Sequence, residues 1–354
     1  MDNLPEHVLV ENILLLLSVK SLVCMRSVCK SWRSLILNPS FVQLHMARTT
    51  ANCLVFCNKK RSIYNGQLSV IDTKFLDRGI SYLDFPSNLG KSCHIVGSCN
   101  GLLCVAYERS KKQTGKRLYL WNPATGKVKH IPENTNVNNI DIYDFSIGFC
   151  FDFSSSDYKV VRIVKENAFA SERSRVVVYS LIKNYWKEIK VELNFKVIDY
   201  IYPAIVKGSI YWIIVVIDQE QFALLSFNVE SEIFCTIPLP GSIMCRQDSS
   251  YICLFEFKES VALIDEKGDE GISIWTLDDD SCWIKKFTIS SPSLITEIVG
   301  CLKTGEFVGT DFAETNFAGD IVLYDSVNNM VENTLFKFSA PRTYNYSESL
   351  VNLN

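Results

Sequence analysis

Thirteen cysteines and four histidines are the side chains best suited to hold a metal or act as nucleophiles, so their spacing comes first. Cys93, His94, Cys99 and Cys104 share one short stretch. Structural zinc sites use closely paired ligands, and this chain has no C-x-x-C pair, so no metal is expected there. "GSCNG" reads instead as a tight turn entering a strand, with Cys104 a small buried residue. The histidines are His7, His45, His94 and His130, and the rest of the chain has none. The nucleophile elbow G-x-S-x-G, the P-loop and G-x-G-x-x-G are all missing, so acyl transfer and nucleotide chemistry lack their usual starting points. Asp278, Asp279 and Asp280 form an acidic run, but the glycine and terminal glutamate of a calcium loop do not accompany it. It reads as a solvated hairpin turn. No catalytic residue and no cofactor are expected.

The most distinctive charged stretch is "ERSKKQTGKR", carrying Arg109, Lys111, Lys112, Lys116 and Arg117. It reads as a solvated loop between two strands. The same side chains would suit an acidic or phosphorylated partner.

The elements that position these residues begin with a helical segment. "ILLLLSVKSL" (Ile13 to Leu22) is too short to cross a bilayer, which needs about 20 apolar residues. Glu6 and Glu11 precede it, and no Lys or Arg occurs before Lys20, unlike the basic opening of a signal peptide. Pro5 and Glu6 suit a first helical turn. Leu9, Ile13, Leu16 and Leu17 then form one apolar stripe, and Ser18 can cap a second helix carrying Leu22, Val23 and Met25. A third stripe runs through Val28, Trp32, Leu35 and Ile36 and is stopped by Asn38-Pro39, with Phe41 and Leu44 continuing the packing. A module over residues 1–48 has more apolar surface than it can hide. It either packs on the domain that follows or meets a partner, and composition alone leaves the two even.

"LPEHVLVENILLLLSVKSLVCMRSVCKSWRSLI" (Leu4 to Ile36) resembles the plant F-box. The resemblance implies helices that dock on a Skp-family adaptor, which bridges to a cullin-RING ubiquitin ligase. It implies that Leu4, Pro5, Ile13, Leu14, Leu17, Val19 and Leu22 face the adaptor, while Val28 and Trp32 hold the module together. The sequence departs from the family pattern twice: Ser18 replaces a proline, and Asn12 is an extra residue.

Beyond residue 50 the helical stripes vanish. Short runs of Val, Ile, Tyr, Phe and Trp alternate with Gly, Asn, Asp and Ser, which is strand-and-turn punctuation. "YLWNPATGKVKHIP", "VVYSLIKNYWKEI", "LSFNVESEIFCTIPLP", "SIWTLDDDSCWIKKF" and "VLYDSVNNMVENTLF" share one plan: a strand ending in an aromatic residue, a polar turn, a second strand. Their anchors are Trp121, Tyr179, Phe227, Trp275 and Tyr324, with a weaker copy at Ile71. The period is about 50 residues, as in kelch-like propellers, and six copies predict six blades over residues 49–354. The anchors are expected to pack between blades. "ESLVNL" is expected to pair near "CLVFC" and close the ring, and "IYWIIVVI" is expected to be a buried strand.

"IVGSCNGLLCVAY", "LYLWNPATGKVKHIP", "DYKVVRIV" and "SESLVNLN" resemble the plant F-box-associated interaction domain, in particular S-locus F-box and F-box/kelch-repeat proteins. The expected fold is thus a small all-α F-box module followed by an all-β propeller of six kelch-like blades. The resemblance implies a non-catalytic substrate receptor that holds an unknown target protein for ubiquitylation. A propeller scaffold with a degenerate F-box, and a propeller enzyme or lectin, remain open.

Composition fits that reading. The chain has 354 residues, 47% hydrophobic and 21% charged, with net charge −3. Those values suit a globular protein with a sizeable core and not a nucleic-acid binder or a membrane protein. Scattered cysteines in odd number predict reduced thiols in the cytoplasm or nucleus, so the sequon at Asn345 is expected to carry no glycan.

Overall fold

The computed structural model describes residues 13–48, 53–60, 63–72, 80–86, 89, 93–108, 116–134, 143–165, 174–191, 195–198, 201–244, 251–268, 271–289, 295–311, 319–328, 330–338 and 342–353.

The described part of the helical module opens with a 3-10 turn at Leu14–Leu16, followed by α1 (Val19–Met25), α2 (Lys30–Ile36) and α3 (Pro39–Arg48). Ser18 caps α1 by accepting from the Ser21 amide at 3.3 Å, as its residue type predicts. Pro39 ends one helix and opens another. Its fixed φ suits a first helical position, and the Asn38 carbonyl side chain accepts from the Ser40 amide at 2.9 Å.

The strands form six sheets arranged as six blades. Blade 1 holds β1 (Cys53–Lys60), β2 (Ile63–Asp72) and β3 (Ile80–Asp84). Blade 2 holds β4 (Cys93–Cys99), β5 (Leu102–Glu108), β6 (Lys116–Asn122) and β7 (Lys127–His130). Blade 3 holds β8 (Tyr143–Asp152), β9 (Asp157–Lys165), β10 (Ser174–Ser180) and β11 (Tyr185–Ile189). In blade 4 two short pieces, β12 (Phe195–Val197) and β13 (Ala204–Val206), share the edge of β14 (Ser209–Val216). That strand is the predicted "IYWIIVVI", and it is followed by β15 (Gln221–Asn228) and β16 (Ile233–Pro238).

A short α4 (Gly241–Met244) leads into blade 5, which holds β17 (Ile252–Phe257), β18 (Ser260–Gly268), β19 (Gly271–Leu277) and β20 (Trp283–Ile289). Blade 6 holds β21 (Glu297–Cys301), β22 (Phe307–Asp311), β23 (Gly319–Asp325) and β24 (Met330–Phe338). Finally β25 (Tyr344–Tyr346) returns to blade 1 and pairs with β1, Cys53 opposite Tyr346 and Val55 opposite Tyr344.

The ring therefore closes with a C-terminal strand, but not the one expected. "ESLVNL" is not a strand. The closing residues are Tyr344–Tyr346, and the last residues run on across blade 2.

All six anchors fall on the third strand of their blade, and each packs at the boundary with the blade before it. Trp121 shares one core with Val55 and Leu68 of blade 1. Tyr179 shares a core with Leu120 of blade 2, and Phe227 with Val178 of blade 3. Trp275 packs beside Leu224, Tyr324 beside Ile274, and Ile71 beside Val308. Phe227 and Tyr179 are wholly buried; burying a side chain of that size contributes about 1.5–3 kcal/mol relative to leaving it in water.

The residue after the anchor often shapes the turn. The Asn122, Asn228 and Asp325 side chains each accept from backbone amides two and three residues ahead. Such bonds let a short polar residue replace a backbone turn bond.

Candidate functional site

In the helical module, Leu14, Leu15, Val19, Leu22, Ile36 and Phe41 form one core, with Leu17 and Trp32 packed against it. His45 is buried beside them and its Nε2 lies 2.9 Å from the Leu17 carbonyl. Leu14, Val19 and Leu22 do not face an open surface, because the 3-10 turn and α1 direct them inward. Val28 does not hold the module together. It sits in the turn between α1 and α2 and is 64% exposed. Leu16, on the expected apolar stripe, is 70% exposed, and Ile13, expected to face the adaptor, is exposed. A three-residue 3-10 turn rather than a regular helix accounts for the change of face. Trp32 packs against the core, partly buried. Leu4, Pro5 and Asn12 lie outside the described residues.

The same core contains one residue from the far end of the chain. Leu350 is buried among the helical leucines, and Ala124, from the turn between β6 and β7, packs against them. The tail is held in place from the propeller side. The Asn122 side-chain amide donates to the carbonyls of Ser349 and Val351 at 3.0 and 2.8 Å. Leu353 enters the core between blades 2 and 3. Gly101 makes room for this path: a Cβ on it would lie 2.4 Å from the Ser349 side chain, and its φ is +76°. No other residue takes that conformation against so close a neighbour without strain.

The basic stretch leaves blade 2 at its other end. Glu108 and Lys116 pair where β5 ends and β6 begins, while Trp121, opposite Leu103, marks the end that touches the helices. Arg109, Lys111 and Lys112 lie outside the described residues, as does the Lys116 side chain. Arg117 is exposed, with Nε 3.6 Å from a Glu133 carboxylate oxygen.

Burial pushes the thiols of Cys93 and Cys99 up to about 12, and that of Cys104 higher still, so none supplies thiolate at neutral pH. The Cys93 thiol donates to the Leu89 carbonyl at 3.0 Å. Among the described residues no three His, Cys, Asp or Glu converge as metal ligands would. Asp278 turns its carboxylate onto the Cys282 amide at 2.6 Å, and Asp279 and Asp280 are exposed. Among the described residues no helix is long and apolar enough to cross a membrane.

Known proteins fit this arrangement. The F-box domain model matches residues 1–44, and the F-box associated beta propeller domain model matches residues 53–349. A putative F-box protein of Arabidopsis thaliana is 26% identical over 333 residues, covering 90% of this chain and 78% of the relative. A putative F-box/kelch-repeat protein of the same plant is 25% identical over 335 residues, covering 84% and 75%. Among solved structures, a lectin of Aleuria aurantia aligns with a TM-score of 0.44 at 8% identity, covering 83% of this chain and 97% of that one. The propeller match spans most of the chain and follows an F-box, and on that ground the chain belongs to the F-box-associated beta propeller family.

Proposed function

We propose that this chain is the target-receptor subunit of an SCF-type ubiquitin ligase, holding a Skp-family adaptor on its F-box and a target protein on its propeller. One observation carries the reading. The helices pack at the end of blade 2 marked by Ala124, whereas the basic β5–β6 connection leaves from the opposite end. This supports a reading in which adaptor and target are held at opposite ends of blade 2.

The adaptor surface includes Ile13, Leu16 and Leu17, the exposed or half-buried apolar residues of the first turn, together with Leu4 and Pro5. Leu14, Val19 and Leu22 support that surface from behind. The basic residues of this connection, Arg109, Lys111, Lys112, Lys116 and Arg117, are the proposed contact for an acidic target; of their side chains Arg117 alone lies among the described ones, and it is exposed. The subunit makes and breaks no bonds. Its effect is proximity: holding a target lysine beside the charged thioester raises the effective concentration of the reacting pair.

A propeller scaffold that recruits no ligase is the second reading. Its support is Leu350, which covers the F-box leucines from within the same chain. Co-purification with adaptor and cullin, combined with proximity labelling in the presence and absence of proteasome inhibition, separates the two. The receptor reading expects the ligase subunits in the complex and a labelled protein that accumulates under inhibition. Labelled proteins without adaptor or cullin would leave the scaffold reading standing.

A further inference from the structure

A cavity of about 430 Å³ lies on the propeller axis. It opens between the turns that join the first and second strands of the blades. Three of these are two-residue turns: Asn100-Gly101, Lys207-Gly208 and Lys258-Glu259, all with positive φ. Such turns are tight and stiff, so the mouth is a fixed opening. The walls include Phe151, Phe153, Ile205 and Phe255.

Arg342 stands at the inner end, beside the start of the closing strand, and is 9% exposed. Its guanidinium has five N–H donors. Nη1 donates to the Tyr202 carbonyl at 3.3 Å, and buried Nε has no hydrogen-bond partner. The group lies 4.5 Å from the centre of the Phe255 ring and 5.7 Å from that of Tyr344. Among the described residues no carboxylate comes within ion-pair distance of it.

The other cations at the mouth, Lys207 and Lys303, are exposed. Lys207 lies 3.8 Å from Glu259. Burial raises the Glu256 carboxyl, and nearby Lys303 opposes that rise. Arg342 is the one buried cation lining the cavity, and among the described residues it makes no ion pair. A buried charge without one is costly, and a protein that retains such a charge gains when an anion arrives.

We propose that this axial cavity binds a small organic carboxylate, with the acid group on Arg342 and an apolar body against the phenylalanine walls. A single buried positive charge favours a monoanion over phosphate, which would also meet Glu256 and Glu259. The volume lies within the range of small-molecule pockets. The stiff turns around the mouth suit a free ligand better than a protein segment. This site is independent of the receptor reading above.

Thermal melting of the full chain with benzoate, benzamide and inorganic phosphate tests it. Benzoate is expected to raise the melting temperature saturably, and the other two are not. Arg342→Met, which removes the buried charge and keeps the volume, is expected to melt no lower than wild type and to lose benzoate affinity by about tenfold or more. Phe153→Ala changes an exposed wall residue, so it is expected to fold normally and bind benzoate several-fold more weakly. The proposal falls if benzamide or phosphate stabilises as well as benzoate, if benzoate has no effect, or if Arg342→Met or Phe153→Ala retains full affinity.

Discussion

The Asn122 side chain donates to the Val351 carbonyl at 2.8 Å, joining the turn after β6 to the tail 229 residues further on. Around that bond three parts meet: blade 2, the C-terminal residues and the helical module. Leu350 points into the helices, and Leu353 into the propeller. The tail thus couples the F-box to the blades.

Replacing Asn122 tests that coupling. Asn122→Ala removes one buried and one part-buried bond to the tail, together with the turn bonds from the Ala124 and Thr125 amides. A cost of about 2–4 kcal/mol is expected, read by urea unfolding. Limited proteolysis should cut the variant's tail sooner. Unchanged stability and unchanged cleavage would show that the tail is held by its apolar contacts alone.

Leu350 tests the other side of the tail. Leu350→Ala empties a position in the helical core, and losses of about 2–5 kcal/mol are typical for such sites. The loss should be confined to the helices, so hydrogen exchange should quicken in α1–α3 and stay slow in the blades. Faster exchange throughout would mean that module and ring unfold as one unit.

Two truncations separate closure from coupling. Ending the chain after Ser347 keeps the pairing of β25 with β1 and removes only the tail. Ending it after Ala340 removes the closing strand and exposes the edge of β1, an invitation to aggregate. The first protein should stay soluble with a loosened F-box, and the second should aggregate. Light scattering distinguishes them, and equal solubility would remove the closure argument.

One prediction concerns pH. Burial raises the Glu266 carboxyl to about 7, while the Ile298 amide, donating to it at 2.8 Å, works in the opposite direction. Because the folded state holds this proton more tightly than the unfolded chain, the group's contribution is most favourable below the unfolded value. It declines as pH rises through about 7. Glu266→Gln keeps the acceptor and removes the titration. Relative to this variant, wild type should lose up to a few kcal/mol between roughly pH 5 and 8. Parallel stability curves would contradict the assignment.

Much of this architecture was legible in the sequence. The aromatic anchors gave the blade period because each must fill a boundary between blades, and the polar residue after them must turn the chain. The closing strand was misplaced for a physical reason. "ESLVNL" has the apolar content of a strand, but its leucines serve two different cores. "YNY" looks like a loop and becomes a strand because β1 offers an unpaired edge. In the helical module, four consecutive leucines fit several faces, and only the 3-10 geometry decides that Leu14 and Leu15 turn inward. Arg342 carried no signal at all. A lone arginine in "SAPRTYNY" acquires meaning only once the ring brings Phe255 and Tyr202 around it.

The receptor account rests most directly on adaptor binding through the first turn of the module. Purified Skp-family adaptor titrated against wild type and against Ile13→Asp with Leu16→Asp measures it. Both residues are exposed, so the double variant should fold, yet two charges in an apolar contact should weaken binding by about a hundredfold or more. Tight binding by wild type and loss in the variant is the expected result. Equal binding by both, or none by either, would contradict the account.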